Sequence, residues 1–279
     1  MSEGRVPGPA RCSSRGRLLA LVEVTAVEAC FLVAAWLLQA AHPGAWGWHS
    51  KALMIVLGLM GILAHGRPWE YGLRPKSLRF SLRWSAYVAA PFAVAFLAPL
   101  LVASATGRPL PRPVELARSL LWYFVFVGFA EELFFRGYVQ SRLNEAFTRR
   151  YWKFLWVEFE WTQGTMITAI LFFGLPHLLT GINPFTGSYS IGPLAVFITA
   201  MAIFMGLVFG VIREKTGCVI VPTVLHGSID FTVFTLGRAV GLAASNIAAA
   251  AALFTFFAIL FEKLLKEPIP TPPHSPTPE

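Results

Sequence analysis

The sequence predicts an all-α polytopic membrane protein, and its composition and apolar windows support this class. The chain has 279 residues, of which 56% are hydrophobic and only 14% are charged, whereas soluble domains carry about 25% charged residues. The mean hydropathy is +0.60. Several windows reach the roughly 20 apolar residues that a helix needs to cross a hydrocarbon core. These windows disfavour the alternative, a soluble protein with unusually buried helices.

We expect about eight transmembrane helices. The apolar windows cover residues 18–40, 51–65, 84–105, 114–139, 164–180, 192–212, 218–237 and 241–262. The second window is short, so seven spans and a re-entrant segment are the alternative. The windows and the composition of the two ends predict three regions. These are a basic disordered head at 1–17, one transmembrane domain at 18–262 and a proline-rich disordered tail at 263–279.

The basic residues predict how the chain crosses the membrane. Most of the positive charges behind the net charge of +8 lie in loops, where they indicate orientation and not a nucleic-acid partner. With eight spans, seventeen lysines and arginines fall on the side of both termini. The other side carries four: Lys51, Arg108, Arg112 and Arg238. The positive-inside rule then places both termini in the cytoplasm. Because Ala, Arg and Pro are abundant, as in GC-rich genomes, we expect a bacterial inner membrane.

The aromatic segment at 151–161 connects the fourth and fifth windows. It mixes tryptophan, tyrosine and phenylalanine with charged residues, a pattern typical of the headgroup region. We interpret it as a cytoplasmic anchor in the interface, with a substrate-gating surface as the alternative.

Three apolar windows carry ionisable side chains at membrane depth, where a charge costs several kcal/mol and indicates a functional site. These side chains are Glu131, Glu132 and Arg136 in the fourth window, His177 in the fifth, and His226 and Asp230 in the seventh. One buried histidine bonded to a carbonyl would be unremarkable, but the joint set favours a reaction centre. Glu28 in the first window is a weaker candidate.

Spacing suggests how these groups interact. Glu132 and Arg136 are four residues apart, so they share a helical face and can pair. Glu131 is rotated by about 100° from Glu132 and is expected to stay free for chemistry. His226 and Asp230 are also four apart, which lets the acid orient the imidazole.

At these residues the sequence resembles the CAAX prenyl endopeptidase and bacteriocin-processing family of intramembrane proteases (CPBP, or Abi). Its three motifs occur in order. Two glutamates, three residues and an arginine occupy 131–136; an aromatic residue, three residues and a histidine occupy 173–177. A histidine, three residues and Asn or Asp occupy 226–230. The resemblance covers about residues 114–237.

The resemblance implies an eight-helix fold around a polar cavity that faces the cytosol. It implies that Glu131 is the base that activates water, with His177 as its partner, and that His226 and Asp230 form the oxyanion site. Some members have Asn in place of Asp230. Because an ionised aspartate would repel an oxyanion, Asp230 is either protonated or serves by orienting His226. Glu132 and Arg136 are expected to support the site.

The mechanism follows from the nucleophiles that are available. No serine or cysteine lies beside a base in these motifs, so activated water with Glu131 as general base is the better choice. Zinc bound by Glu131, His177 and His226 is the alternative. Since these ligands come from three helices and lack the His-Glu-x-x-His pattern, we expect no metal cofactor.

The substrate class is open at this level. We expect a membrane-associated or lipidated protein or peptide as substrate and no nucleic-acid partner. A non-catalytic membrane protein that binds a partner in the same cavity is the alternative from another class. A transporter is disfavoured because no inverted repeat is visible.

Overall fold

The computed structural model describes residues 13–43 and 47–270. The outer parts of the predicted head and tail, at 1–12 and 271–279, lie outside these ranges.

Eight apolar helices account for most of the described residues. They are α1 (Ser14–Ala41), α2 (Trp48–Ala64), α3 (Leu78–Ala105), α4 (Pro113–Ala146), α5 (Gln163–Gly181), α6 (Pro193–Thr216), α7 (Ile220–Val240) and α8 (Leu242–Lys266). All except α2 are long and apolar enough to cross a membrane; for α3 this span includes the preceding turn, Trp69–Leu73. The predicted class is therefore confirmed, and each apolar window corresponds to one helix.

The helix ends differ from the windows at both termini. The α1 helix begins at Ser14, where the hydroxyl of Ser13 accepts a hydrogen bond from the Gly16 N–H at 3.1 Å and caps the helix. The α8 helix continues to Lys266. Residues 14–17 and 263–266 are thus helical, whereas the sequence assigned them to disordered segments. Hydropathy locates only the hydrocarbon core, and helices continue past it into the interface.

Apolar side chains cover the outside of the helix bundle. Leu101, Ile247 and Phe254 are each more than 70% exposed. Such side chains on long apolar helices are expected to contact lipid tails. The protein is an integral membrane protein.

The segment at 151–161 folds into a short hairpin against α8. Its ends form the strands β1 (Arg150–Tyr151) and β2 (Trp161–Thr162), which pair antiparallel. Phe154 and Trp156 pack edge-on against Phe261 of α8, with ring centroids 5.9 and 6.0 Å apart. A second small hairpin follows α5, with strands β3 (Ile182–Asn183) and β4 (Ser188–Tyr189). The interfacial role of the first hairpin stays a prediction.

A close crossing of α4 and α7 positions the ionisable groups. A Cβ atom added to Gly128 would lie 3.0 Å from the Thr223 carbonyl oxygen and 3.2 Å from the Gly227 backbone nitrogen. Glycines at this contact let the two backbones approach, as is typical of helix packing in membranes. The next turn of α4 is therefore held beside the first half of α7.

Candidate active site

Glu131 lies between two π-helical stretches of α4, Leu121–Phe129 and Glu132–Val139. Similar π-helical stretches occur in α5, α7 and α8, so these turns do not by themselves mark a site. This stretch of α4 faces α7 just beyond the glycine crossing. The two glutamates of the first motif are therefore presented to the histidine of the third.

Glu132 and Arg136 form a fully buried ion pair. Neither side chain is exposed, and the Arg136 Nη1 donates to the Glu132 Oε1 at 3.1 Å. The Arg136 guanidinium also stacks over the Phe173 ring, 3.9 Å from its centroid, which adds a cation–π attraction. The pair expected from the four-residue spacing is present.

His226 joins this pair to the rest of the cluster. Its Nδ1 lies 2.9 Å from the same Glu132 Oε1 that binds Arg136. Its Nε2 faces the other way, 3.8 Å from Glu131 Oε2 and 3.6 Å from Asp230 Oδ2. The imidazole also stacks on Phe209 with an interplanar angle of 15°. Glu132 thus fixes one ring nitrogen and leaves the other directed at two carboxylates.

The sequence predicts a free Glu131, but in the structure Glu131 is paired with Lys51. The Lys51 ammonium donates to the Glu131 Oε1, and the two side chains are 22% and 12% exposed. In the sequence Lys51 is the first residue of the second apolar window and was counted only among the basic residues of the non-cytoplasmic side. The α2 helix begins at Trp48, so Lys51 lies within its first turn and its long side chain reaches the cluster. A lysine beside a short apolar window was the signal that could have indicated this contact.

His177 lies where α5 tightens into a 3₁₀ segment, Leu175–Gly181. Its Nδ1 is 2.7 Å from the Phe173 carbonyl oxygen. A carbonyl can only accept, so Nδ1 carries the proton and Nε2 of the neutral ring is an acceptor. His177 interacts electrostatically with Glu131 and His226 but makes no hydrogen bond to either. It belongs to the edge of the cluster.

The predicted site residues therefore converge, with one exception. All six of the main candidates lie in or beside this cluster, contributed by α4, α5 and α7. Glu28 of α1 is 6% exposed and makes no hydrogen bond or ion pair with any residue in the described ranges. It does not belong to the cluster.

A metal site would need carboxylates and imidazoles of the cluster to converge on one ion. Within residues 13–43 and 47–270, no group of three or more His, Cys, Asp or Glu side chains is arranged to hold a metal ion. Glu131, His177 and His226 could supply donor atoms, but the Lys51 ammonium already occupies one carboxylate oxygen of Glu131. A second cation there would be repelled by it. The expectation of a metal-free site stays a prediction.

The structure is that of an all-α integral membrane protein with a polar centre among its helices. This centre consists of a buried glutamate–arginine pair, two histidines and two further carboxylates. Residues 113–232 match the family described as Type II CAAX prenyl endopeptidase Rce1-like. The match contains all three motifs and confirms the resemblance. Similarity to this family implies an intramembrane endopeptidase of the CAAX-protease type. No match was found among curated proteins or solved structures.

Proposed function

We propose that the protein hydrolyses a peptide bond of a membrane-associated or lipidated protein or peptide by means of water that Glu131 activates. The observation that carries this proposal is the arrangement around His226, whose Nε2 faces the carboxylates of Glu131 and Asp230 while Glu132 holds Nδ1. An acid–base group and a potential oxyanion donor thus lie side by side.

Glu131 is proposed as the general base. Its Oε1 is held by Lys51, so Oε2 is the oxygen left to accept a proton from water. The neutral His177, with Nε2 as an acceptor, is the second group that can orient this water. Loss of the proton lets the water oxygen attack the carbonyl carbon of the scissile bond, and the proton passes to the leaving amine.

His226 is proposed to stabilise the oxyanion that forms in this attack. As an imidazolium it donates Nδ1–H to Glu132, and Nε2–H remains for the oxyanion. Asp230, at 3.6 Å from Nε2, serves by orienting this ring, because an ionised carboxylate in contact with the oxyanion would oppose its formation. Glu132 and Arg136 act through His226 as positioning residues.

Lys51 supports the metal-free form of this mechanism over the zinc-dependent alternative. The ammonium provides the positive charge that balances Glu131 in an apolar environment. A zinc ion would have to displace it or bind within a few ångströms of it, at a Coulomb cost of several kcal/mol for an effective dielectric near 20.

The activity can be tested without knowing the substrate. Bacterial membranes would be compared after expression of the wild-type chain, of Glu131→Gln and of Glu28→Gln. Glu28 is the control because it is a buried glutamate of a membrane helix outside the cluster. New peptide termini, identified by mass spectrometry, are expected with the wild type and Glu28→Gln and not with Glu131→Gln. Identical termini in all membranes would favour the non-catalytic partner-binding alternative.

We further propose that both termini face the cytoplasm of a bacterial inner membrane, as the distribution of basic residues predicts. A reporter that is active only in the cytoplasm, fused after Glu279, should be active. An inactive fusion, together with activity of a periplasmic reporter at the same position, would contradict this orientation.

A further inference from the structure

A second polar pocket lies apart from the cluster, between the start of α4 and the end of α7. Its volume is about 460 Å³, and the loop at 109–111 closes one side. On α4 its innermost residue is Ser119, twelve residues before Glu131, which corresponds to about 18 Å of helix. On α7 the lining residue Thr235 follows Asp230 of the cluster by five residues, about 7.5 Å of helix. None of the cluster residues lines the pocket, so it is a neighbouring site and not part of the proposed reaction centre.

The walls of this pocket carry more positive than negative charge. Three arginines line it, Arg112, Arg118 and Arg238, against one acid, Glu115. Glu115 is bound by Arg112 at 2.6 Å. Arg238 donates to the neutral Ser119 hydroxyl at 2.6 Å, and Arg118 has no ion-pair partner in the described ranges. Three guanidinium charges thus face one carboxylate, an excess of two positive charges.

A buried hydroxyl in the wall lacks a partner as well. Thr235 is 2% exposed, and its Oγ1 makes no hydrogen bond within the described residues. An unsatisfied buried polar group costs about 1–3 kcal/mol. An oxygen of an anion bound beside Arg238 would satisfy this hydroxyl. The unpartnered hydroxyl therefore points to a ligand independently of the excess of positive charge.

The position of the pocket in the membrane indicates the kind of anion. Arg112 precedes the first residue of α4 and Arg238 lies in the last turn of α7, so both are at the ends of spanning helices, the level of lipid headgroups. Leu110, Val114 and Leu242, close by in the chain, are exposed apolar side chains that suit acyl chains. Arginine forks match phosphate oxygens in geometry and charge.

We propose that this pocket binds the phosphate of an anionic phospholipid headgroup, with Arg118 and Arg238 as the main phosphate ligands and Thr235 as a hydroxyl donor. Bound lipid would tie the start of α4 to the end of α7. Because these helices carry Glu131, Glu132 and His226, the site links the lipid environment to the geometry of the cluster.

The test uses the full chain purified in detergent and titrated with dihexanoyl phosphatidylglycerol. Dihexanoyl phosphatidylcholine and inorganic phosphate are the parallel probes, and thermal unfolding and native mass spectrometry are the readouts. Arg118→Gln removes an exposed ligand without disturbing the fold, and Thr235→Val removes the hydroxyl at nearly constant volume. Arg108→Gln is the control, since Arg108 is an exposed arginine of the same loop that does not line the pocket.

Phosphatidylglycerol should raise the unfolding temperature and bind more tightly than phosphatidylcholine. Arg118→Gln should weaken this binding roughly tenfold or more, the loss expected for a charge-assisted hydrogen bond. Thr235→Val should weaken it while leaving the lipid-free unfolding temperature unchanged or higher, and Arg108→Gln should bind as the wild type. Equal protection by inorganic phosphate would assign the pocket to a soluble anion and overturn the lipid assignment. Wild-type binding by Arg118→Gln and Thr235→Val would overturn the site itself.

Discussion

The buried pair of Glu132 and Arg136 makes a stability prediction that can be worked from the structure. Both side chains are completely buried and 3.1 Å apart. Glu132→Leu would leave the Arg136 guanidinium without an ion-pair partner in the described ranges. It would keep the Gly206 carbonyl at 3.4 Å and the neighbouring rings of Phe173, Phe209 and Phe135. Breaking a buried ion pair in this way costs about 3–5 kcal/mol because one charge remains uncompensated.

Removing both charges should cost less than removing one. In the double variant Glu132→Leu/Arg136→Met no charge is stranded, and exchange of a buried pair for apolar residues is often neutral. We therefore expect the double variant to be more stable than Glu132→Leu, yet still inactive because His226 loses its Nδ1 partner. The assay is denaturant unfolding of the purified variants in one detergent. A single variant within about 1 kcal/mol of wild type, or a double variant less stable than the single, would refute the reasoning.

Three further predictions concern the cluster and the helix contact that builds it. Lys51→Met should reduce cleavage and lower the unfolding free energy by about 1–3 kcal/mol, between the values for exposed and buried ion pairs. Lys51→Arg keeps the charge and should retain much of the stability and the cleavage. Unchanged cleavage by Lys51→Met would contradict a role for this contact. Gly128→Ala should lower the unfolding free energy by about 1–3 kcal/mol through overpacking, and it should reduce cleavage because it separates α4 from α7. The control is Gly192→Ala, where the added Cβ meets open space, and this variant should behave as the wild type in both assays. Cleavage should survive a membrane-permeant chelator, and elemental analysis that finds one zinc per active protein would prove the metal-free mechanism wrong.

The fold class was predictable because the membrane imposes it. A chain with few charges and long apolar windows must satisfy its backbone groups within helices when it spans lipid. The windows therefore located all eight helices. They misplaced the ends at residues 14–17 and 263–266 because charged residues at the interface carry little information on where a helix stops.

The members of the cluster were predictable, but two of their contacts were not. Ionisable groups at membrane depth are rare enough to identify Glu131, His177 and His226, and a four-residue spacing suffices to pair Glu132 with Arg136. The contact of Glu132 with His226 depends on how closely α4 and α7 cross, which the glycines at 128 and 227 permit but do not specify. The partner of Glu131 lies on another helix, α2, and the spacing of residues within α4 cannot identify a contact between helices.

The central claim is that Glu131 is the base that activates water. The most direct measurement is the cleavage rate of purified Glu131→Gln in liposomes, on a peptide identified from the new termini, with Glu28→Gln as control and equal unfolding temperatures as proof of folding. Loss of a general base should reduce the rate by about 10²–10⁴-fold, and Glu28→Gln should cleave as the wild type. A well-folded Glu131→Gln protein that cleaves within tenfold of the wild-type rate would contradict the assignment.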